Sequence, residues 1–350
     1  MPDISGNELY EKLNEIVHKA NIKKAIRCEP VFTLSEILAL KNITTLRKLG
    51  HLHKIPGCSR MDKQKLIPLL SAKMTNRDML TDLLQILDKT DWELFRNVVK
   101  KKYVTDDMLF CDVYWMMLQL GVLVLFYHAG HFHYVIPLEI QGVYHILENE
   151  GFPATKEHGD LLNEYAVAAV NLYGVISLDD FLELFNSQNE RKTDIFEMNE
   201  ILQKHVYMEN GYSIYNGYIV NDSFKDNHYR DVIGVINAVG TKPRYIPRKE
   251  QLLRFSDKDY IEEIPQLNRL RSYINANLNI DVSTAEDIID EYYFLSRSEA
   301  ELQHYVNIFV QNGVSLEIPQ IDAIIELVTD LYNNSRRWSN NGHTLTELGA

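Results

Sequence analysis

Residues 43–73, ITTLRKLGHLHKIPGCSRMDKQKLIPLLSAK, carry the pattern that decides how this 350-residue chain reads. The stretch predicts a short helix, a loop through Ile55-Pro56-Gly57, a helix start at Ser59 and a second helix that holds Lys63 and Lys65. Across 31–75 there are eight Lys/Arg against two acids, a local net of +6 in a chain whose total is −13. A compact basic helix–loop–helix on an acidic protein is the electrostatic footprint of a polyanion contact. Its candidate nucleic-acid contacts are Arg47, Lys48, Lys54, Arg60, Lys63 and Lys65.

The pattern LRKLGHLHKIPGCSRMDKQKLIPLL resembles the N-terminal domain of transcription terminator Rho, a small helical module related to SAP domains. In that family a Leu-rich helix is followed by GI-x-G-x-S and then by a Lys-rich helix ending in a Leu pair. Ile55, Gly57, Ser59, Lys63, Leu66, Ile67 and Leu69 stand in the matching places. There is no GxxxxGK[ST] loop to cradle phosphates, so the resemblance implies binding rather than hydrolysis. A second likeness is looser. LGVLVLFYHAGHFHYVIPLEI, YIPRKEQLLRFSDKDYIEEIPQLNRL and LYNNSRRWSNNGHTLTEL look like uncharacterised multidomain proteins of Gram-positive bacteria. In many of these a Cys-rich SEC-C zinc motif follows the last segment; the sequence stops at Ala350 without one, so no role for that module is expected.

The remaining totals bound the class. A chain this long implies two to four domains. No apolar run approaches the roughly 20 residues that span a bilayer, and MPDISGNELYEKL lacks the layout of a signal peptide. Cys28, Cys58 and Cys111 form no CxxC pair, which argues against a disulfide framework or a Cys-based zinc site. A cytoplasmic protein without membrane contact is expected.

Ser/Thr followed three residues later by an acid, a helix-start signal, recurs at Ser5/Glu8, Thr33/Glu36, Thr90/Glu93, Ser177/Asp180 and Ser283/Glu286. Helically spaced apolar residues follow each, so the expected fold is mainly α and multidomain. Two hairpins interrupt it, one over Val122–Ile136 with Ala129-Gly130 at its turn, one over His205–Val220 with Asn210-Gly211 and Asn216-Gly217 as turn candidates. Helices followed by a hairpin outline a winged helix. The expected division is an N-terminal helix (1–30), the SAP-like basic module (31–75), two winged-helix-like units in tandem (76–150 and 157–240) and a C-terminal helical region (241–350), with Gly240-Thr241-Lys242-Pro243 as a linker.

Charge is divided unevenly. Residues 103–190 hold one base, Lys156, against thirteen acids, and 281–350 hold three bases against twelve acids. A recognition helix over Thr105–Leu120 would expose Asp106, Asp107 and Asp112 and no Lys or Arg. It would be repelled by DNA, so that unit reads as a structural or protein-binding module. His128, His131 and His133 could place two imidazoles on one strand face, but they read as incidental rather than as a metal site. The Tyr and Phe residues, such as Tyr114 and Tyr292-Tyr293-Phe294, read as core, and Phe32 as the one aromatic of the basic segment argues against an extended single-strand stacking surface there. Arg336-Arg337-Trp338 and His343 read as a helix C-cap with packing by Trp338. Lys242, Arg244, Arg248, Lys249 and Arg254 read as a mixed solvated surface.

No GxSxG, HExxH or GxGxxG set is present. The expectation is therefore a non-enzymatic, regulatory protein of bacterial or phage origin with no cofactor. It would contact DNA or RNA backbone weakly through 31–75, and a protein partner or itself through the acidic body. The alternatives are a protein-binding adaptor with no nucleic-acid contact, or a metal-dependent nuclease whose carboxylates meet only in the fold.

Overall fold

The computed structural model describes residues 6–208, 210–297 and 302–349. Ser5, expected to cap the first helix, and the Phe294 side chain lie outside the described residues. The chain is mainly α and divides into two compact units, Met1–Glu157 and His158–Ala350. Among the described residues no helix is long and apolar enough to cross a membrane.

The first unit begins with α1 (Gly6–Lys24), α2 (Leu34–Leu40), α3 (Ile43–Leu52), a 3-10 turn (Cys58–Arg60) and α4 (Lys63–Met74). It continues through α5 (Arg77–Ile86), α6 (Lys89–Lys101), β1 (Tyr103–Thr105), α7 (Trp115–Gln119), β2 (Val124–His128), β3 (His131–Val135) and α8 (Leu138–Asn149). Short polar residues start these helices by accepting first-turn amides. Thr33 and Glu36 form a reciprocal capping box on α2, while Asn42, Asp62, Asn76 and Asp88 cap α3 to α6. The α6 cap is thus Asp88, two residues before the expected Thr90, because a carboxylate accepts the Asp91 amide and carries the charge that suits a helix start.

The strands form an antiparallel sheet of order β1-β3-β2. Ala129 and Gly130, with φ of 52° and 90°, make the tight turn between β2 and β3, the backbone a twisted two-residue hairpin requires. One sheet face is covered at one end: Val124, Phe126 and Val135 are buried against Ile37, with Ile26, Cys28, Val31 and Phe32 packed beside them. The expected helix over Thr105–Leu120 does not form as one element. Asp106 instead accepts the amides of Met108 and Leu109 in a turn, so helix is confined to α7.

The second unit contains α9 (Phe152–Tyr173) from His158 onward, β4 (Val175–Ser177), α10 (Leu178–Gln188), α11 (Ile195–Val206), β5 (Tyr212–Tyr215) and β6 (Tyr218–Asn221). Its sheet has the order β4-β6-β5. Asn216 and Gly217, φ 49° and 82°, make the hairpin turn; Gly211 lies just before β5 and is not the turn. Then follow α12 (Val232–Val239), α13 (Lys249–Arg254), α14 (Pro265–Asn277), α15 (Val282–Arg297), α16 (Leu302–Gln311) and α17 (Ile318–Asn334).

Leu252 and Phe255 are buried in the same core as Leu162, Tyr165, Phe181, Phe185 and Leu202. The next core gathers Leu267, Ile274, Ile288, Tyr292, Phe309 and Val328. The change of core therefore falls near residue 261 rather than at the Gly240–Pro243 stretch. That stretch is no free linker: Lys242 donates from Nζ to Ala238 O and Ser339 O, each at 2.8 Å.

Candidate nucleic-acid interface

The basic module is built by three helices and one tight turn. Helix α3 ends in a Schellman motif: the Ile55 amide donates to Gly50 O at 2.8 Å and the Lys54 amide to His51 O at 3.0 Å. That motif puts Lys54 in the left-handed region, at φ 53°. Gly57, at φ 71°, then turns the chain into Cys58–Arg60. Gly50 is needed for close approach, because a Cβ there would lie 2.7 Å from Cys58 Cβ. The second long helix starts at Lys63 and not at the expected Ser59, since the Asp62 carboxylate accepts the Lys65 amide at 2.9 Å. The Ser59 hydroxyl is free of that role and meets His51 Nε2 at 3.0 Å.

Buried His53 anchors the module to its unit. Its Nε2 donates to Leu120 O at 2.9 Å, and Nδ1 lies 3.2 Å from Met79 Sδ. Burial pulls this imidazole below its ordinary pKa, with Lys73 adding to the effect. Leu46, Leu66 and Leu70 are fully buried beneath the module, so its fold rests on apolar burial and its charge stays outside.

The six candidate cations separate into two groups. Arg47 is half-buried, and its Nη2 donates to Met61 O at 3.0 Å. Lys63 is half-buried too and donates from Nζ to Ala39 O, tying the start of α4 to the end of α2. Lys48, Lys54, Arg60 and Lys65 are exposed. Lys65 lies 3.8 Å from Asp62, an exposed pair of little energetic weight. Among the described residues Lys48, Lys54 and Arg60 have no ion-pair partner. Lys48 stands one helical turn before His51 on α3, and Arg60 follows Ser59, whose hydroxyl meets His51 Nε2.

The other groups singled out by sequence hold structural contacts. His131 Nδ1 meets Asp107 Oδ2 at 2.7 Å, and His133 Nδ1 meets Thr105 Oγ1 at 2.8 Å. Asp107 also accepts the Phe132 amide at 2.8 Å. Among the described residues no group of three or more His, Cys, Asp or Glu could hold a metal ion.

In the second unit Arg244 pairs with Asp180 at 2.9 Å, and Lys249 donates to Asn189 Oδ1 at 2.6 Å. These two are ties within the fold and not a solvated strip. Arg337 donates to Tyr332 O at 3.1 Å, as a helix C-cap. Arg336 does something else: it pairs with Glu262 and Glu347 and lies 3.5 Å over the Tyr245 ring.

Two features escaped the sequence because they need the fold. The Phe32, Tyr103 and His133 rings follow one another at 5.9 and 5.8 Å, with Lys102 Nζ 4.3 Å over Phe32. On α11 and its C-cap, Phe196, Glu200, Gln203 and Tyr207 form one exposed stripe, with Phe196 83% and Tyr207 86% exposed. The spacing of 196, 200, 203 and 207 was readable as helical; that this face stays uncovered was not.

The fold and the interface define a mainly α, multidomain protein with an exposed cationic patch on a small helical module. No family model, curated protein or solved structure matches the chain.

Proposed function

We propose that this protein is a non-enzymatic nucleic-acid-binding protein that contacts the phosphate backbone through the module at 31–75. The observation that carries the proposal is the exposed set Lys48, Lys54, Arg60 and Lys65, on a segment of local net +6 in a chain of net −13. The backbone at Lys54 adds to it. A left-handed residue after a helix favours glycine, and a non-glycine residue there costs about 1–2 kcal/mol. The turn holds the Lys54 side chain on the exposed side of the module. Arg47 and Lys63 act in this reading as positioning residues that fix the turn and the end of α2.

The acidic remainder is proposed to contact protein. Helix–strand–helix–helix–strand–strand order with a β4-β6-β5 sheet supports a winged-helix-like reading of α9 to β6. Its third helix, α11, presents Glu200 between Phe196 and Tyr207. Exposed aromatics of this kind suit a protein surface, and Glu200 itself is paired with Lys204 at 2.9 Å.

Titration of the full-length protein against labelled duplex DNA, single-stranded DNA and RNA tests the proposal. Salt-sensitive binding that is lost in a Lys48/Lys54/Arg60/Lys65→Ala variant supports it. Absence of binding at low salt refutes it and favours the adaptor reading.

A further inference from the structure

We infer that Tyr103, backed by Phe32 and His133 and flanked by Lys102, is a stacking site for an unpaired base of a single nucleic-acid strand. This rests on the nucleic-acid reading above and names the form of polymer that reading leaves open. Four observations support it.

Tyr103 is 41% exposed although it heads a strand. Its neighbours on the same sheet face are set by register: Tyr103 pairs with Val135, Thr105 with His133, and His133 in turn with Phe126. The Val124, Phe126 and Val135 end of that face is buried under the segment that includes Phe32. The β1 edge of that face, Tyr103 and Thr105, is exposed, with Tyr103 in the same row as buried Val135 and Val124. An aromatic ring is thus held at the border of a core, supported from behind and open in front.

Lys102 sits at φ 72° and ψ −37°, a conformation that L side chains rarely adopt. The strained backbone turns α6 into β1 and places the ammonium over Phe32, beside the exposed tyrosine. Lys100 and Lys101, the last residues of α6 before it, are exposed as well.

The nearby carboxylates are already engaged. Glu139 accepts the Leu34 amide at 2.7 Å, Glu36 is part of the α2 capping box, and Asp107 holds Phe132 and His131. These carboxylates are directed at donors of the fold, and among the described residues none of them pairs with Lys100, Lys101 or Lys102.

The site is continuous with the basic module. Phe32 immediately precedes the α2 cap, and Lys63 is bonded at the other end of α2. The seven residues of α2 span only about 10 Å between these two ends. A strand stacked on Tyr103 would thus run toward the α4 start, where Lys63 and exposed Lys65 lie. Duplex bases offer no free face for such stacking without being flipped out, whereas every unpaired base does.

The test compares a short labelled oligothymidylate, its RNA counterpart and a blunt duplex, each titrated with the full chain. Loss of a single base–aromatic stack means that Tyr103→Leu should weaken single-strand binding at least about fivefold and leave duplex binding unchanged. Tyr103→Phe should retain the wild-type affinity. The two strands show whether the sugar matters. If Tyr103→Leu proves unfolded by circular dichroism, Lys102→Gly serves instead: it relaxes the strained backbone, so it should fold, and should lose single-strand affinity several-fold. Wild-type single-strand affinity in a folded Tyr103→Leu or Lys102→Gly variant, with binding still abolished by the Lys48/Lys54/Arg60/Lys65→Ala change, overturns the stacking site and leaves the backbone reading standing. No binding of any polymer by the wild-type chain overturns both.

Discussion

Arg47 reaches from α3 across the turn and donates to Met61 O at 3.0 Å, which makes it a strut of the module rather than a cation offered to solvent. Its Nε is buried with no partner among the described residues. Charged hydrogen bonds of this kind contribute about 1.5–3 kcal/mol. Arg47→Ala is expected to lower the stability of the first unit by that order, seen as a lower urea midpoint. Lys48→Ala, one residue on and exposed, should stay within about 0.5 kcal/mol.

Lys54→Gly separates charge from fold. Glycine relieves the left-handed backbone at φ 53°, so stability should rise by about 1 kcal/mol. The same change removes one phosphate contact, so the slope of log K against log salt on duplex should become shallower by about 0.9. Thermal unfolding and a salt series on one variant read both.

Gly50→Ala should damage the module from inside. The new Cβ would lie 2.7 Å from Cys58 Cβ and 3.5 Å from Leu66 Cδ1. Overpacking at a filled core costs about 1–3 kcal/mol. Chemical denaturation should show this loss, and the exposed cations should bind less well only to the degree that the fold is lost.

Asp91 governs a pH response in the first unit. It is buried, and that burial, reinforced by Asp88, pushes its carboxyl up to about 6 despite the opposing charge of Lys156. A folded-state pKa above the unfolded 3.8 means that the native state holds the proton more tightly. Stability contributed by this group is therefore full below about 3.8 and is lost as pH rises through about 6. At 1.36 kcal/mol per unit the loss is roughly 3 kcal/mol at neutral pH. Asp91→Asn should flatten the stability difference between pH 4 and pH 7, measured by urea unfolding of variant and wild type in parallel.

Gly174 and Trp338 form a comparable contact in the second unit. A Cβ on Gly174 would fall 2.5 Å from the Trp338 ring, and Gly174 sits at φ 72°. The Trp338 indole also donates to Asn171 O at 3.1 Å. Gly174→Ala is expected to cost roughly 2–5 kcal/mol from backbone strain and overpacking together. Limited proteolysis should then cut within 335–349, where the wild type resists.

What the sequence made legible was local. The Thr33/Glu36 and Ser177/Asp180 caps and both hairpins, with turns at Ala129-Gly130 and Asn216-Gly217, follow from short-range chemistry. The helix start at Ser59 did not, because Asp62 competes more strongly for the first-turn amides. The helix expected over 105–120 failed because Asp106 and Asp107 are drawn to backbone amides of a turn and of β3. The site was legible as charge and not as geometry. That Arg47 and Lys63 bond to carbonyls 14 and 24 residues away, or that Tyr103 meets Phe32, depends on chain returns that no local pattern encodes.

The most direct test of the backbone-contact claim is the salt dependence of duplex binding by the full chain and by its Lys48/Lys54/Arg60/Lys65→Ala variant. At about 0.9 per phosphate the four exposed cations predict a slope approaching −3.6 for the wild type and a near-total loss of binding in the variant. A slope near zero, or equal binding by the variant, would contradict the claim and move the function to the acidic, protein-facing surface.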